Sequence, residues 1–597
     1  MAGINSLDDR ILARILHIAC YSVHALSIRL WAYKRLLPLA AVCSSWRRHA
    51  CAYLYSTLIV EYQPPIKQVL VSKRKPPSQR KRSIWNGIGS SAVEISKTAV
   101  GPRWNTNMHL ILHTNQTSKV TRLRIQMHGH PDYTGLVELL DFGHKPWPMV
   151  GAIELADFAE LQLPLRKPAV TAAQQERYLE NLTTHLKVNL PNVTAVTSLS
   201  WDVCATNKSL TKQLFIQYID QLSVWNTPLA LPLDQKQAPL PSVVEHLTVL
   251  QIETQALAQL GSAKFAVGQL QSLHLNQAEP FFSWAPFVGT KASSLTNNIE
   301  PLVFGSLHTL TIDFEKDNVA NDTYRIDALR KDGRSSPRVT MGMDKRYLKF
   351  PILRSLTIRR VPYTYTSAWS MFLDSPLKSL SIAGKYAHVR YINCKLFEGL
   401  DDLDIHLYAT SGAHGKFTEF IKHILEQPST AKSAWIRHAE VFPLSVPDTT
   451  GWTNLKELNI TAYIPTFSLL SLVSQLPQLF RLAVQRIARD ASEIMLNEAG
   501  LLNLMFIRSR FVASTSIREL QLHMGGSQVR GSSLQAICYI LTSMPFVQKL
   551  AVKQGYWGYV YDFIDMHKTD FPGLQNIQMV HHIYMQHIPA FLLQNLR

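Results

Sequence analysis

A recurring order of aliphatic and polar residues runs through the chain beyond residue 118. Each copy reads aliphatic, two polar, aliphatic, one polar, aliphatic, as in Leu353-Arg-Ser-Leu356-Thr-Ile358. The alternation at the end of this motif predicts a strand with one buried face. Strict copies begin at Val120, Val244, Leu270, Leu307, Leu353, Leu377, Leu400, Leu455, Ile517 and Leu574. Chance would give about one or two copies in a chain of this length, so the motif is a true repeat.

The spacing of the copies predicts what lies between the strands. The central aliphatic residues Leu356, Leu380 and Leu403 follow one another at steps of 24 and 23 residues. Apolar residues at helical spacing occupy residues 467–476 and 533–543, so a unit reads as strand, loop and helix. A further copy is predicted near Trp435 to Val441. The stretches 276–305 and 315–349 are rich in polar residues and are predicted to be inserted loops.

The first sixty residues have a helical pattern instead. Leu7, Ile11 and Ile15 recur at four-residue steps and give one apolar helix face. Leu39, Val42 and Trp46 give a second face at steps of three and four. A helical cap that covers the first repeat of an array would show the same pattern.

Two stretches of this region resemble the F-box, the small helical module by which ubiquitin-ligase substrate receptors dock onto a Skp-type adaptor. Residues 42–47, Val-Cys-Ser-Ser-Trp-Arg, match the family's Val-Cys-x-x-Trp-Arg. Residues 7–12 match its Leu-Pro-x-Glu-Ile-Leu, except that Asp8 replaces the proline and Arg10 the acid. The repeats, at about 20–29 residues, resemble leucine-rich repeats. F-box followed by leucine-rich repeats is a known receptor architecture.

The resemblance implies an α/β fold: a leucine-rich-repeat solenoid, or horseshoe, behind a small all-α F-box-like module. Residues 1–60 would be that three-helix module and residues 61–118 a basic linker or insertion with the first cap elements. Residues 119–597 would be an irregular solenoid with inserted loops. The implied partners are a Skp-type adaptor and, through it, a cullin scaffold. The implied adaptor-binding residues are Leu7, Ile11, Leu12, Ile15, Leu39, Val42 and Trp46, of which Trp46 could equally belong to the module's own core.

The resemblance also places the substrate-binding surface. In leucine-rich repeats the strand residues that flank the central aliphatic residue face the concave side. Here these are Ser355, Thr357, Arg359, Asp402, Asp404, His406, Glu457, Asn459, Glu519, Gln521 and His523. Their mixed polar chemistry has no dominating basic stripe, which favours a protein or peptide partner. Any one of them could equally be a solvated position on a strand.

Composition limits the choice of function. The chain has 597 residues, too many for one ordinary core, and 46% of them are hydrophobic, which is typical of a folded protein. No aliphatic run approaches the ~20 residues of a bilayer span, so no membrane partner is expected. Six cysteines without a C-x-x-C pair favour a reducing compartment. We therefore expect a cytoplasmic or nuclear protein, or one found in both.

The net charge of +18 is partly concentrated in one run. Its basic residues are Lys73, Arg74, Lys75, Arg80, Lys81 and Arg82. Such a run is a candidate nuclear-import or polyanion-binding segment, or else a solvated loop interrupted by prolines. It lacks the stacking aromatics and the recognised fold of a nucleic-acid-binding segment, so we expect no nucleic-acid partner.

No catalytic constellation is apparent in the sequence. His128, His130, His581 and His582 have no carboxylate or cysteine at metal-ligand spacing, and the common catalytic motifs are missing. We predict a protein that is not an enzyme, with no cofactor and no metal site. The first hypothesis is a substrate-recognition subunit of a Skp–cullin–F-box ubiquitin ligase. The alternative is a leucine-rich-repeat interaction scaffold, nuclear or not, whose F-box-like helices only cap the solenoid.

Overall fold

A computed structural model describes most of the repeat motifs and leaves out much of the chain between them. The described residues are 44–63, 103–127, 136, 147–157, 172–198, 203–227, 241, 243–259, 264–278, 284, 286–288, 302–314, 348–361, 369, 371–385, 389, 392, 394–408, 424–426, 429–437, 448–488, 512–522, 531–552, 557–569 and 572–579. They belong to two compact units, unit 1 (Met1–Phe265) and unit 2 (Ala266–Arg597). No helix in these ranges combines the length and the apolar character that crossing a bilayer requires.

Unit 1 is built on a mostly parallel sheet. The strands of unit 1 are β1 (Thr57–Gln63), β2 (Arg103–Thr106), β3 (Arg122–Met127), β4 (Ala152–Asp157), β5 (Ala195–Ser198), β6 (Val224–Asn226), β7 (Val243–Val244) and β8 (Val249–Glu253), and β9 (Lys264–Ala266) follows them. Its helices are α1 (Ser44–Ser56), α2 (Met108–His113), α3 (Ala172–Asn189), α4 (Val203–Tyr218) and α5 (Thr254–Gln259), and a 3₁₀ helix spans Thr117–Lys119. Strands β1, β3, β4, β5, β6 and β8 are parallel neighbours in that order.

One edge of the unit 1 sheet is closed by an antiparallel strand. β2 pairs with β1 over Val60 to Gln63, and Asn107 continues the pairing from there. The Asn107 side chain accepts a hydrogen bond from the Ile59 amide (2.8 Å) and donates one to the Thr57 carbonyl (2.9 Å). Open edges expose unpaired amide and carbonyl groups that recruit other strands. β2 and Asn107 together satisfy those groups on β1.

Unit 2 contains most of the repeat motifs. Its strands are β10 (Ser272–Ala278), β11 (Phe287–Val288), β12 (Leu302–Val303), β13 (Thr309–Phe314), β14 (Leu348–Lys349), β15 (Ser355–Val361), β16 (Ser379–Lys385), β17 (Asp402–Tyr408), β18 (Ser433–Arg437), β19 (Glu457–Pro465), β20 (Arg481–Ala488), β21 (Glu519–Leu522), β22 (Lys549–Val552) and β23 (Gln578–Met579). Its helices are α6 (Thr466–Ser474), α7 (Gly531–Thr542) and α8 (Trp557–His567), and 3₁₀ helices span Cys394–Phe397 and Pro572–Asn576.

The central aliphatic residues of the motif lie side by side across the unit 2 sheet. β10, β13 and β15 to β23 are parallel neighbours in chain order. The aligned residues are Leu273, Leu310, Leu356, Leu380, Leu403, Ala434, Leu458, Leu482, Leu520 and Leu550, all of them buried. The strands predicted from these copies are confirmed, as are the copy near Trp435 (β18) and the helices α6 and α7.

Other copies differ from the prediction. Leu250, not Leu247, is the central residue of β8, because it pairs with the buried Trp225 of β6. At the last copy Met579 rather than Ile577 pairs with Leu550. Around β8 two alternations overlap, and packing against the neighbouring strand selects between them. At the last copy Ile577 and Met579 belong to the same alternation, so the pairing is shifted by two residues without a change of face. β4 also follows the motif through Ile153, although it is not among the predicted copies.

The predicted fold class is wrong. We expected an α/β leucine-rich-repeat horseshoe behind a small all-α module, and the described residues instead form large parallel sheets with few helices. The motif specifies strands and their pairing, but it carries no information about the connections. A horseshoe needs one similar connection for every strand. Here the connections range from the 3₁₀ helix Cys394–Phe397 before β17 to the 12-residue helix α7 before β22. Of the predicted all-α module, residues 1–60, the described part is α1 and the first residues of β1, which begins at Thr57, so residues 57–60 form a strand.

Candidate functional site

The candidate site is the polar face of the unit 2 sheet, defined here as the strand positions that alternate with the buried aliphatic residues. Because the strands are in register, these positions form rows. The first row is Ser272, Thr309, Ser355, Ser379, Asp402, Ser433, Glu457, Arg481, Glu519 and Lys549. The second row is His274, Thr311, Thr357, Ser381, Asp404, Trp435, Asn459, Ala483, Gln521 and Ala551. The third row includes Asp313, Arg359, Ala383, His406 and Arg437.

The register brings the predicted substrate-binding residues onto this one face. Asp402 and Glu457 are exposed. The others within the described residues are half-buried: Ser355, Thr357, Arg359, Asp404, His406, Asn459, Glu519 and Gln521. His523 lies outside the described residues. Their role in binding a substrate stays a prediction.

One part of the polar face is held together by a cluster of contacts around Asp404. Arg437 donates from Nε to Asp404 Oδ1 (3.0 Å) and from Nη2 to Oδ2 (2.5 Å), in a two-point ion pair. Ser381 donates its hydroxyl to the same Oδ2 (3.0 Å). The Arg437 guanidinium also lies 4.0 Å from the centre of the Trp435 ring. Charge-assisted bonds of this geometry hold an arginine in one orientation.

The cluster is suited to recognition rather than to proton transfer. Both oxygens of Asp404 already accept hydrogen bonds, so the carboxylate is committed to holding Arg437. Arg437 in turn covers one side of the Trp435 ring, and both side chains are partly accessible to solvent. A rigid aromatic and a fixed guanidinium are the groups that most often anchor protein interfaces. We define this set, Ser381, Asp404, Trp435 and Arg437, as the Asp404 cluster.

A looser set of charges follows on the last strands of the face. Glu519 accepts a hydrogen bond from Lys549 Nζ (2.8 Å), and Arg481 Nε lies 3.9 Å from the other carboxylate oxygen. The three side chains are between 29% and 54% exposed, so water screens their interaction. They give this part of the face alternating charge, and they contribute little to stability.

Trp435 and Arg437 are not among the binding residues predicted from the sequence. Their strand, β18, carries Ala431 and Ala434 where other copies have leucine, and this weakens the motif. Ile436 preserves the last aliphatic position and is buried beside Ile405. A search that accepted alanine at the first two aliphatic positions would have found the strand and hence the pair.

His274 makes one end of the polar face sensitive to acid. Burial of its imidazole, whose Nε2 atom has no access to solvent, and the charge of Arg359 lower the pKa from 6.5 to about 3. Between about pH 6.5 and pH 3, His274 is therefore protonated in the unfolded chain and neutral in the folded chain. Stability from this group is complete above about pH 6.5 and falls as the pH drops through that window.

We expect His274→Asn to reduce the acid sensitivity of unit 2. From about pH 6.5 to about pH 5 the native protein should lose ~2 kcal/mol of unfolding free energy through His274, at ~1.4 kcal/mol per pH unit. The variant should lack this loss, measured by urea unfolding at both pH values. Arg359→Gln should retain most of this loss, because burial lowers the pKa of His274 more than the charge of Arg359 does. An identical pH dependence in native protein and His274→Asn would contradict the argument.

Most of the predicted adaptor-binding residues cannot be placed. Leu7, Ile11, Leu12, Ile15, Leu39 and Val42 lie outside the described residues, as does the basic run from Lys73 to Arg82. Trp46 lies on α1, where it is half-buried. α1 contacts β1 and the 3₁₀ helix Thr117–Lys119, and its Ala50 is completely buried. α1 therefore packs onto the start of the unit 1 sheet.

Other reactive groups do not add a second site in the described ranges. No three His, Cys, Asp or Glu side chains there lie close enough together to hold a metal ion. Burial raises the pKa of the Cys538 thiol on α7 to about 12, so this thiol is protonated and unreactive at neutral pH.

Comparison with known proteins adds no relative to this description. The chain matches no protein-family model, and a search of curated proteins gives no significant match.

Proposed function

We propose that this protein is a non-catalytic substrate-recognition subunit of a Skp–cullin–F-box ubiquitin ligase. Its N-terminal helices would bind the Skp-type adaptor, and the polar face of unit 2 would bind a protein substrate. The chain would act by bringing its target close to the conjugating machinery, and it would form no covalent bond itself.

The observation that carries the recognition half of this proposal is the Asp404 cluster. Trp435 and Arg437 are fixed in place before any partner arrives, so binding would cost little side-chain entropy. Tryptophan and arginine are also the residue types that dominate binding energy at protein interfaces. The adaptor half rests on the F-box resemblance of residues 7–12 and 42–47.

Affinity purification of the full-length protein tests both halves. The native protein should carry a stoichiometric Skp-type adaptor. The triple variant Ile11→Asp, Leu12→Asp, Val42→Asp should lose it, because charged groups at these positions cannot enter an apolar interface. A folded native protein that carries no adaptor would contradict the receptor proposal and would leave the interaction scaffold as the remaining hypothesis.

Variants of the Asp404 cluster separate the substrate from the adaptor. Trp435→Ala with Arg437→Ala should retain the adaptor and lose the substrate proteins identified by mass spectrometry in the native sample. We expect affinity for such a substrate to fall at least about 30-fold, corresponding to a loss of ~2 kcal/mol or more at an interface anchor. Lys549→Ala, a change of an exposed cation on the same face, is the matched control and should change binding less than about threefold. Retention of every substrate by the double variant would exclude the cluster as the binding site.

A further inference from the structure

A second surface of unit 2 runs along the edge of the sheet, at the residue that precedes the first polar row on each strand. The residues at this position are His308, Arg354, Lys378, Asp401, Lys432, Lys456, Phe480 and Arg518, with Gln271 and Gln548 at the two ends, and we define the eight from His308 to Arg518 as the basic edge. All but Asp401 and Arg518 are exposed, and those two are half-buried. The basic edge is distinct from the polar face, where the proposed substrate would bind.

Backbone hydrogen bonds hold these residues in a single line. The Lys378 amide donates to the Arg354 carbonyl (2.7 Å), and the Asp401 amide donates to the Lys378 carbonyl (2.7 Å). The same bond joins each later member to the one before it, through to Arg518 (2.7–2.8 Å). Neighbouring strands are ~4.8 Å apart, so the line from Arg354 to Arg518 is ~29 Å long.

Cations dominate the line, although the linear sequence scatters them. Arg354, Lys378, Lys432, Lys456 and Arg518 are positive, and Asp401 is the one acid among the members of the edge. Asp401 Oδ1 lies 2.9 Å from Lys432 Nζ, and the hydrogen bond from Lys432 lowers the pKa of Asp401, which therefore remains ionised. The surplus of positive charge along the edge attracts acidic partners.

Two exposed phenylalanines adjoin the cations at one end. Phe480 is 47% exposed and lies between Lys456 and Arg518 in the line. Phe546 is 52% exposed, and the Arg518 guanidinium lies 5.2 Å from the centre of its ring. Exposed apolar residues occur singly on many surfaces, but two aromatic rings beside a row of cations give a surface with both apolar and ionic anchors.

We propose that the basic edge binds an extended acidic segment of a partner protein, which also carries an aromatic or aliphatic side chain for Phe480 and Phe546. Carboxylates on the segment would pair with the cations. A strand-like peptide of about nine residues covers the length of the edge. A partner protein could occupy this edge and the polar face of unit 2 independently.

The charges beside the edge favour a polypeptide over a nucleic acid. Asp401 interrupts the row, and Asp374 and Glu398 are exposed in the turns that lead into β16 and β17. A phosphate backbone carries an unbroken series of negative charges and would be repelled at these points. A polypeptide can place its acidic residues opposite the cations and neutral residues opposite the acids.

Fluorescence anisotropy with the full-length protein tests the proposal. The probe is a labelled peptide of about ten residues that alternates Glu or Asp with neutral residues and carries one Phe near its end. It should bind at low salt and weaken as salt rises from about 50 to about 200 mM. Lys378→Glu with Lys456→Glu should weaken binding at least about tenfold. Lys119→Glu with Lys568→Glu changes the net charge equally at exposed residues that are not members of the edge, and this control should stay within about twofold.

Two further measurements test whether the phenylalanines contribute to binding and whether the edge binds a peptide more tightly than a nucleic acid. Phe480→Ser with Phe546→Ser should weaken the Phe-containing peptide and leave a Phe-to-Ser version of the peptide unchanged. An oligouridylate of similar length should compete poorly. The proposal is overturned if both charge-reversal pairs act equally, if neither acts, or if the oligouridylate binds more tightly than the peptide and loses binding with the edge variant. None of these variants changes residues 7–47 or the Asp404 cluster. The edge proposal can therefore be overturned without affecting the receptor proposal, and the reverse also holds.

Discussion

Replacing Glu154 with alanine is expected to lower the unfolding free energy of unit 1 by about 3–5 kcal/mol. Arg124 Nε donates to Glu154 Oε2 at 2.7 Å, and the two side chains are only 5% and 10% exposed. Without Glu154 the guanidinium is buried with no anion to compensate its charge. Arg122 also contacts Glu154 (Nη1 to Oε1, 3.4 Å), but its side chain is half exposed and solvated, so the loss of that contact adds little. Hydrogen–deuterium exchange in peptides covering β3 and β4 measures the loss locally.

Two controls show whether the uncompensated charge is the cause. The double variant Arg124→Met, Glu154→Leu removes both charges and fills the same volume, so it should be within about 1 kcal/mol of the native protein or more stable. Glu519→Ala removes the carboxylate of an ion pair that is accessible to water and should cost less than about 1 kcal/mol. Equal losses for Glu154→Ala and the double variant would point to lost packing instead of charge.

The strands of unit 2 were predictable because their physical requirement is local. A strand with one buried face needs an aliphatic residue at alternate positions, and Leu356-Thr-Ile358 shows that alternation without reference to the rest of the chain. In-register pairing of Leu356 with Leu380 and of Ile358 with Ile382 follows, because a slip by one residue would expose both. For these copies the short-range pattern therefore predicts element type and register together.

The connections between strands were not predictable from the same pattern. The motif ends at Ile382, and nothing in it distinguishes the 3₁₀ helix before β17 from the longer α7 before β22. The regular alternation of strand and helix that a horseshoe requires was inferred from spacing, and spacing does not determine secondary structure. This is why the individual strands were right and the fold class was wrong.

The candidate site is partly predictable from the sequence: its positions are, and the contacts among them are not. The sequence predicts the polar positions of the face, because they alternate with the buried residues. The contacts among them depend on strand order: Asp404 meets Arg437 only because β17 and β18 are neighbours, although 33 residues separate the two side chains in sequence. The line of cations at the basic edge has the same origin. Its members are tens of residues apart, and only the register shows that they are adjacent.

Gly573→Ala should be the most damaging small substitution at the C-terminal end of unit 2. Gly573 lies in the 3₁₀ helix Pro572–Asn576, which packs against α7 and α8. A Cβ atom on Gly573 would overlap the carbonyl oxygen of Pro545 and lie 2.6 Å from its carbonyl carbon. These are backbone atoms, which cannot turn aside as a side chain can. We expect a loss of about 3 kcal/mol, at the upper end for overpacking. Urea unfolding and hydrogen exchange across residues 572–579 measure it.

Gly558→Ala is the matched control, and its effect should have the opposite sign. Gly558 lies in the first turn of α8 and is exposed, and a Cβ atom there would have no neighbour within 4 Å. Alanine reduces the freedom of the unfolded chain and favours the helix, so the variant should gain up to about 1 kcal/mol. Both changes add one methyl group to a glycine, and the two glycines are only 15 residues apart in the chain. The difference between the two variants therefore isolates the contact with Pro545. Similar effects of the two alanines would mean that the 3₁₀ helix can move away from Pro545 at little cost, and that its packing does not stabilise the end of the sheet.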